Sequence, residues 1–159
     1  MFYSFLILIS VFFTAGVKVK KAEIITLQQL RAKTIRQDND TLYVVNFWAT
    51  WCKPCVAELP YFEEAREHFI DKPVKLLLVS LDLLSDEQKV DVFIQNKNIQ
   101  NEVCLLNAAD PNTWINEIDS TWSGAIPATI IYKRGKTIFF QEGDFEKLEL
   151  DSLIQTKIN

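Results

Sequence analysis

The stretch Val44-Val45-Asn46-Phe47-Trp48-Ala49-Thr50-Trp51-Cys52-Lys53-Pro54-Cys55 decides how this chain folds. An apolar run ends in a short turn that carries two cysteines separated by two residues, and a helix-forming segment follows at once. This pattern predicts a buried strand, a turn and a helix N-terminus, with Cys52 at the junction. A helix start presents free backbone N–H groups and about half a positive charge. It therefore favours the thiolate, which is the reactive form of cysteine.

The two cysteines have different predicted roles in a disulfide exchange. Cys52, next to the helix start and the cationic Lys53, is the predicted nucleophile that attacks a substrate disulfide. Cys55 lies one helical turn further on and would resolve the resulting mixed disulfide. Pro54 suits the first helical turn, because it has no N–H to leave unpaired and its φ is already helical.

A structural disulfide and one half of a zinc site are the alternative interpretations of the cysteine pair. A structural zinc site needs four ligands, and the further soft ligands, Cys104 and His68, are not spaced as a partner pair. Cys104 lies in an apolar segment and is predicted to be a buried, inert thiol, with a third redox thiol as the alternative. His68 is predicted to be exposed late in its helix. We therefore expect no metal and no cofactor other than the redox-active pair itself.

Two motifs carry a resemblance to a known family. The segment 47–55 resembles the active-site strand and turn of the thioredoxin superfamily. Asn46 stands where thioredoxins have a buried Asp. Together with Glu58 and Pro60, this is more similar to the TlpA/ResA-like exported thiol-disulfide oxidoreductases. The segment Gly124-Ala125-Ile126-Pro127-Ala128-Thr129 resembles the cis-proline loop of the same superfamily.

The resemblance implies a fold and a substrate-binding surface. It implies a thioredoxin-like α/β fold over residues 22–159, with a mixed central sheet, helices on both faces and an inserted strand–helix element. A cis-proline at Pro127 would expose the backbone of Ile126, which could pair with an extended substrate segment. Trp51 would border Cys52 and, with Lys53 and Pro54, shape the contact surface.

Glu58 is the predicted acid–base group. Asn46 cannot ionise, so the carboxylate that manages the proton of the resolving thiol has to come from elsewhere. The position of Glu58, one turn after Cys55, matches the one that supplies it in the ResA-like family. The alternative is an ordinary glutamate on the solvated surface of the helix.

Residues 1–21 are predicted to be a signal peptide or an N-terminal membrane anchor. Phe2 to Val17 is mostly apolar and uncharged, which is close to a secretory h-region and short for a span of about 20 residues. Thr14-Ala15-Gly16 is a candidate cleavage site, and a buried N-terminal strand is the alternative. The expected location is therefore outside the cytoplasm, in the periplasm or cell envelope, with or without attachment to the membrane.

Hydrophobic periodicity predicts the remaining elements. Thr26 is a candidate helix N-cap, and the acids from Asp82 to Asp91 are expected on a solvated face. Trp48 is expected in the core, whereas Trp114 and Trp122 fit either the core or the rim. The predicted elements are a strand and helix within 22–36, a strand at 41–48, a helix to about 70, a strand at 74–81, a helix at 85–96 with a capping box from Ser85 to Gln88, a strand at 102–106, a helix from Asp110 to about 119, a hairpin of 128–132 with 137–141, and a helix at 145–157.

Composition and motifs together predict the function and its partners. The chain has 159 residues, of which 48% are hydrophobic, enough for one folded domain. A net charge of −4 favours no nucleic-acid partner. The expected function is a thiol-disulfide oxidoreductase, working as a reductase on dithiol or disulfide proteins, with a membrane electron donor. The alternatives are a non-catalytic binding module and a peroxide-reducing redoxin, which would need a lone cysteine with nearby Thr and Arg.

Overall fold

The computed structural model describes residues 20–35, 39–108 and 110–158. Within these ranges the chain alternates strands and helices, as the periodicity predicts. The elements are β1 (Glu23–Thr26), α1 (Leu27–Thr34), β2 (Leu42–Trp48), α2 (Lys53–His68), β3 (Val74–Ser80), a 3₁₀ turn (Leu84–Asp86), α3 (Glu87–Asn96), β4 (Glu102–Asn107), α4 (Pro111–Ile118), β5 (Ala128–Lys133), β6 (Lys136–Glu142) and α5 (Lys147–Ile158).

The strands form one mixed sheet in the order β1-β4-β3-β2-β5-β6. The first four strands of this order run parallel to one another, and β5 and β6 join as an antiparallel hairpin. β2 lies inside the sheet, paired with β3 on one side and β5 on the other. The cysteine turn therefore follows a strand that is held along both edges.

Every residue of β2 is buried, because helices cover both faces of the sheet. Alternate side chains contribute to two separate cores, since successive residues of a strand point to opposite faces. One core holds Leu42, Val44 and Trp48 with residues of α2, α3 and α5. The other holds Tyr43, Val45 and Phe47 with residues of α1 and α4. The predicted mixed sheet with helices on both faces is confirmed.

The N-cap prediction holds for α1 and fails for α3. Thr26 is the N-cap of α1, and its side chain accepts a hydrogen bond from Gln29 N, while the Gln29 side chain accepts one from Thr26 N. The capping box from Ser85 is wrong, because Ser85 lies inside a 3₁₀ turn and α3 begins only at Glu87. The N-cap of α3 is Asp86 instead, whose side chain makes no capping hydrogen bond.

The prediction of a solvated acidic face is wrong for two of its members. Asp82 and Asp91 are 3% and 6% exposed. Asp91 accepts a hydrogen bond of 2.9 Å from the backbone N–H of Ala22, which joins α3 to the segment before β1. Such a partner is distant in sequence, so local charge patterning does not reveal it.

The N-terminal prediction falls almost entirely outside the described residues. Of the segment 1–21, only Lys20 and Lys21 are described. Among the helices that the structure describes, none has the length and apolar character needed to cross a membrane.

Candidate functional site

The two cysteines lie where β2 ends and α2 begins. Cys52 is the N-cap of α2 with extended backbone angles (φ −84°, ψ 101°), and its Sγ lies 3.3 Å from the backbone nitrogen of Cys55. A backbone hydrogen bond of 3.1 Å from Cys52 N to Ala49 O closes the turn. Cys52 and Cys55 are joined by a disulfide, with their Cα atoms 5.3 Å apart. The predicted strand, turn and helix junction is confirmed.

The two sulfur-bearing residues differ in access to solvent. Cys52 is 5% exposed, whereas Cys55 is fully buried behind it. Trp51 beside them is 63% exposed, and Lys53 and Pro54 are also exposed. Cys52 is therefore the more accessible of the two, which is the order that the predicted roles of nucleophile and resolving thiol require.

The Ile126–Pro127 loop lies against Cys52. The peptide bond between Ile126 and Pro127 is cis, as predicted. The carbonyl oxygen of Ile126 is 3.7 Å from Cys52 Sγ, so a substrate bound at this sulfur also meets the loop. Trp122 donates a hydrogen bond of 2.8 Å from its indole nitrogen to Ala125 O. The sequence left open whether Trp122 lies in the core or at the rim, and the structure places its ring in the core.

Glu58 is buried under the site, with only 1% of its surface exposed. Its Oε1 accepts a hydrogen bond of 2.8 Å from Asn46 Nδ2, and its Oε2 accepts one of 2.8 Å from the backbone N–H of Phe145. Burial raises the pKa of Glu58 to about 7; the two hydrogen bonds oppose this rise, and the nearby charge of Asp144 adds to it. The alternative of a solvated helix-surface glutamate is wrong.

The alternation of β2 explains why Asn46 meets Glu58. Asn46 has the same parity as Leu42, Val44 and Trp48, which point to the core on the α2 side. Its amide nitrogen also donates to Thr129 Oγ1 at 3.1 Å, on the neighbouring strand β5.

A second buried carboxylate, Asp82, supports the cysteine turn and was missed by the sequence analysis. Asp82 Oδ2 accepts hydrogen bonds from Thr50 N and Ser80 Oγ, both at 2.8 Å, and Oδ1 accepts one of 2.6 Å from Thr50 Oγ1. β2 and β3 are parallel, with Trp48 opposite Ser80, so residues that follow the two strands meet at the same edge of the sheet. In the sequence, this role is indicated only by an acidic residue two positions after the end of β3.

Outside this site, Cys104 is fully buried in β4, as predicted. Burial raises the pKa of its thiol to about 12.

Ligand atoms of Cys104, Glu23 and Glu102 lie within 4.8 Å of one another. However, Lys33 Nζ lies 2.8 Å from Glu23 and 2.9 Å from Glu102, so an ammonium group already binds both carboxylates and offsets part of their charge. His68 is exposed in the last turn of α2, as predicted.

The chain is similar in sequence to several known proteins. A model of the AhpC/TSA family matches residues 16–140. A thiol-disulfide oxidoreductase ResA of Bacillus cereus is 33% identical over 113 residues, which are 70% of this chain and 60% of that protein. ResA of Oceanobacillus iheyensis is 43% identical over 56 residues, 35% of this chain and 28% of that protein. The chain therefore spans less than two thirds of the length of these relatives.

Solved structures share the fold. StoA from Bacillus subtilis aligns with a TM-score of 0.58 and 21% identity, covering 75% of this chain and 86% of that one. A thioredoxin-related protein from Neisseria meningitidis serogroup B aligns with a TM-score of 0.65 and 18% identity, covering 78% and 90%. At these identities the likeness shows the fold alone. The family match extends from before β1 into β6 and includes the cysteine turn, and this chain therefore belongs to the AhpC/TSA family, with a thioredoxin-like fold.

Proposed function

We propose that this protein is a thiol-disulfide oxidoreductase that reduces disulfides of other proteins through Cys52 and Cys55. The observation that carries the proposal is the disulfide at the N-terminus of α2, with Cys52 on the solvent side and the Ile126 carbonyl 3.7 Å from its sulfur. The names of the curated relatives, thiol-disulfide oxidoreductases, support it.

The exchange runs in two balanced steps. In the reduced protein, the Cys52 thiolate attacks one sulfur of a substrate disulfide, forms a mixed disulfide and releases the other substrate sulfur as a thiolate. The Cys55 thiolate then attacks Cys52 Sγ, re-forms the Cys52–Cys55 disulfide and releases the second substrate thiolate. The substrate gains two electrons and its thiolates take up two protons, while the cysteine pair is oxidised.

The contact surface for the substrate surrounds Cys52. The sheet pairing of β5 begins at Ala128, so the backbone of Ile126 lies beyond the ladder and can pair with an extended substrate segment. Trp51 and Lys53, the neighbours of Cys52 in the sequence, are also exposed.

Glu58 is proposed as the group that carries a proton to or from Cys55. A carboxyl group with a pKa of about 7 exchanges its proton readily at neutral pH. It lies one helical turn from Cys55 on α2, and Asn46 and the Phe145 N–H hold it in place. Its charge and those of the thiolates would influence one another, so the three groups titrate as a set.

The cellular context is also part of the proposal. The apolar segment 2–17 supports export to the periplasm or cell envelope, with cleavage or anchoring of residues 1–21. In an oxidising compartment the cysteine pair would need a membrane electron donor to return it to the dithiol.

Trapping of the mixed disulfide tests the proposal. Cys55→Ser should accumulate a covalent adduct with an oxidised protein such as insulin, because Cys52 can attack but nothing releases it. Cys52→Ser should form no adduct, and Cys104→Ser should reduce insulin disulfides at the wild-type rate, since Cys104 is buried away from the site. Mass spectrometry of the adducts identifies the linked cysteine. Adducts in Cys52→Ser and none in Cys55→Ser would reverse the assigned roles.

The two alternative functions predict different assays. A peroxide-reducing site would need a free Thr and Arg beside the cysteine, but the Thr50 hydroxyl is bonded to Asp82, and Arg66 lies beside Glu63 and Glu67. Rapid consumption of peroxide by the reduced protein would favour that function. Failure to reduce insulin would favour a binding module.

A further inference from the structure

The two ends of the parallel strands carry different charge. At the end that holds the cysteine turn, the connections from a strand into a helix are the segments 49–52, 81–86, 108–110 and 143–146. Among the residues that the structure describes in these connections, none is Lys or Arg. Their acidic residues are Asp82, Asp86, Asp110, Asp144 and Glu146. The end of the sheet that carries the active site is therefore acidic.

The opposite end of the sheet is basic. The segments that lead into the four parallel strands meet there with the β5–β6 turn, because β5 runs antiparallel to β2. The acidic residues described in these segments are Asp40 and Asp71. Their basic residues, which define the basic pole, are Lys20, Lys21, Lys72, Lys97 and Arg134. Further lysines stand in the adjoining strand ends, namely Lys75, Lys133 and Lys136.

The chain enters the fold at the basic pole. Lys20 donates a hydrogen bond from its ammonium group to the backbone oxygen of Asn101, and the backbone N–H of Ala22 donates one of 2.9 Å to Asp91. Val17, the last residue of the apolar segment 2–17, stands three residues before Lys20. An extended chain spans at most about 3.6 Å per residue, so this segment ends within about 11 Å of the pole.

The proposed anchoring of residues 1–21 would bring the basic pole to the lipid headgroups. A reach of about 11 Å is close to the Debye length of about 8 Å at physiological ionic strength, so charges at the pole and on the headgroups act on one another. Anionic phospholipids attract basic groups beside a membrane segment, and they repel acidic ones. Both ends of the sheet therefore favour the same orientation, with the basic pole towards the bilayer.

An exposed isoleucine lies among these cations. Ile70 is 67% exposed in the segment between α2 and β3, two residues before Lys72. At the surface of a bilayer, basic side chains bind phosphate groups while neighbouring apolar side chains enter the boundary with the acyl chains. The pairing of Ile70 with Lys72 has the polarity that this boundary requires.

We propose that the basic pole binds the surface of a membrane that contains anionic phospholipids, with Ile70 inserted between the headgroups. The inference rests on the proposed anchoring of residues 1–21 and is independent of the chemistry at Cys52. β2 has seven residues that advance about 3.3 Å each, so the cysteine turn lies more than about 20 Å from the pole. Cys52 then opens into the aqueous compartment, where a protein partner reaches it without approaching the bilayer.

Labelling of lysines in the full-length protein tests the orientation. The disulfide form is placed in vesicles of phosphatidylcholine alone or of an equal mixture with phosphatidylglycerol, and flotation confirms its attachment. A membrane-impermeant acetylating reagent and mass spectrometry then give the rate at each lysine. In the anionic vesicles Lys72 and Lys97 should react about fivefold more slowly, the factor that corresponds to an attraction of about 1 kcal/mol per basic residue. Lys89 and Lys147, exposed in the first turns of α3 and α5, are the matched controls and should keep their rates.

A fluorescent probe tests the insertion of Ile70. A polarity-sensitive dye is attached to Ile70→Cys or, as the control, to Leu148→Cys, whose position is 77% exposed in the first turn of α5. In the disulfide form Cys52 and Cys55 are bonded to each other and Cys104 is fully buried, so the dye reacts with the introduced cysteine. The emission of the dye at position 70 should shift to shorter wavelength in the anionic vesicles, and the emission at position 148 should not.

Charge variants decide whether the basic pole causes this shift. Combined with Ile70→Cys, K72Q/K97Q should lose most of the shift, and K89Q/K147Q should keep it. Equal labelling of all four lysines in the two kinds of vesicle, equal shifts at both dye positions, or an unchanged shift in K72Q/K97Q would overturn the membrane-binding pole. A full-length protein that floats with neither kind of vesicle would overturn the anchoring as well. Insulin reduction in detergent tests the disulfide exchange separately from both.

Discussion

Two buried carboxylates flank the cysteine turn, and they differ in the partners that they hold. Asp82 accepts three hydrogen bonds, all from the cysteine turn and the adjoining strand β3. Glu58 accepts one hydrogen bond on each oxygen, from Asn46 on β2 and from the Phe145 N–H just before α5. Asp82 is 3% exposed and Glu58 1%, so burial alone does not distinguish them.

The comparison shows that the groups bonded to a buried acid, rather than its degree of burial, distinguish Asp82 from Glu58. Asp82 joins the Thr50 backbone to Ser80 and so holds the turn that carries Cys52 in a single position. Glu58 has a pKa of about 7, because its two donors do not offset the cost of burying the charge. Asp82 therefore supports the geometry of the turn, and the raised pKa of Glu58 is what supports its proposed role in proton transfer.

The largest expected effect is the loss of the Asp82 carboxylate. Asp82→Ala should lower the free energy of unfolding by about 4 kcal/mol, because a buried donor left without a partner costs about 1–3 kcal/mol and a half-buried one somewhat less. Thr50 N, Thr50 Oγ1 and Ser80 Oγ all lose their acceptor. Chemical denaturation of the disulfide form at neutral pH measures the loss.

Two substitutions bracket this prediction. Asp82→Asn keeps one acceptor oxygen and should lose about half as much stability. Asp71→Ala removes an exposed acid in the turn after α2 and should change the free energy of unfolding by less than about 0.5 kcal/mol. If Asp82→Ala and Asp71→Ala were equally stable, Asp82 would have no anchoring role.

The next effect is a pH dependence that comes from Glu58. The pKa of this group is about 7 in the folded protein, against 4.5 for an ordinary glutamate. Between these two values the folded state keeps a proton that the unfolded state has lost, so the stability of the wild type falls as the pH rises through that window. The fall should approach about 3 kcal/mol, and it should be absent in Glu58→Gln, which does not titrate.

Unfolding free energies of both proteins across this window provide the measurement. Glu58→Gln loses one good hydrogen bond, so it should be slightly less stable than the wild type in acid and more stable above neutral pH. Glu67→Gln, at an exposed position on the same helix, should follow the wild-type curve. Parallel curves for Glu58→Gln and the wild type would show that Glu58 does not titrate in this range.

The smallest effect concerns the donor that stabilises the Glu58 charge. Asn46→Ala removes the hydrogen bond to Glu58 Oε1 and should raise the pKa of Glu58 by about one further unit, since such a bond favours the ionised form by about 1.5 kcal/mol. The carboxyl C=O stretch of Glu58, followed by infrared spectroscopy against pH, reports the value.

Thr129→Val is the matched control for this measurement. Thr129 accepts the other hydrogen bond of Asn46, and its loss should leave the Glu58 pKa near its wild-type value of about 7. An unchanged or lowered Glu58 pKa in Asn46→Ala would show that the amide is not a net stabiliser of the carboxylate.

The parts of the fold that the sequence predicted are those with local causes. β2 is apolar almost throughout because it is buried on both faces, and α2 begins directly after Cys52, where the proline-containing turn starts a helix. The predicted N-cap Thr26 accepts its hydrogen bond from Gln29, only three residues later, so this cap depends on local sequence alone. The start of α3 was misplaced because a 3₁₀ turn leads directly into the helix, as is frequent at helix ends, and periodicity does not separate the two.

The sequence by itself determined the cysteine pair, the strand before it, the helix after it and the proline loop that meets it. These features depend on neighbouring residues and on motifs with a recognised spacing. Only the tertiary structure decided that Asp82 supports the turn, that Phe145 holds Glu58, and that the basic connecting segments share one pole. Thr50 and Asp82 are 32 residues apart, and Glu58 and Phe145 are 87 apart. Contacts over such distances follow from the pairing of β2 with β3 and the packing of helices on the sheet, which no local pattern encodes.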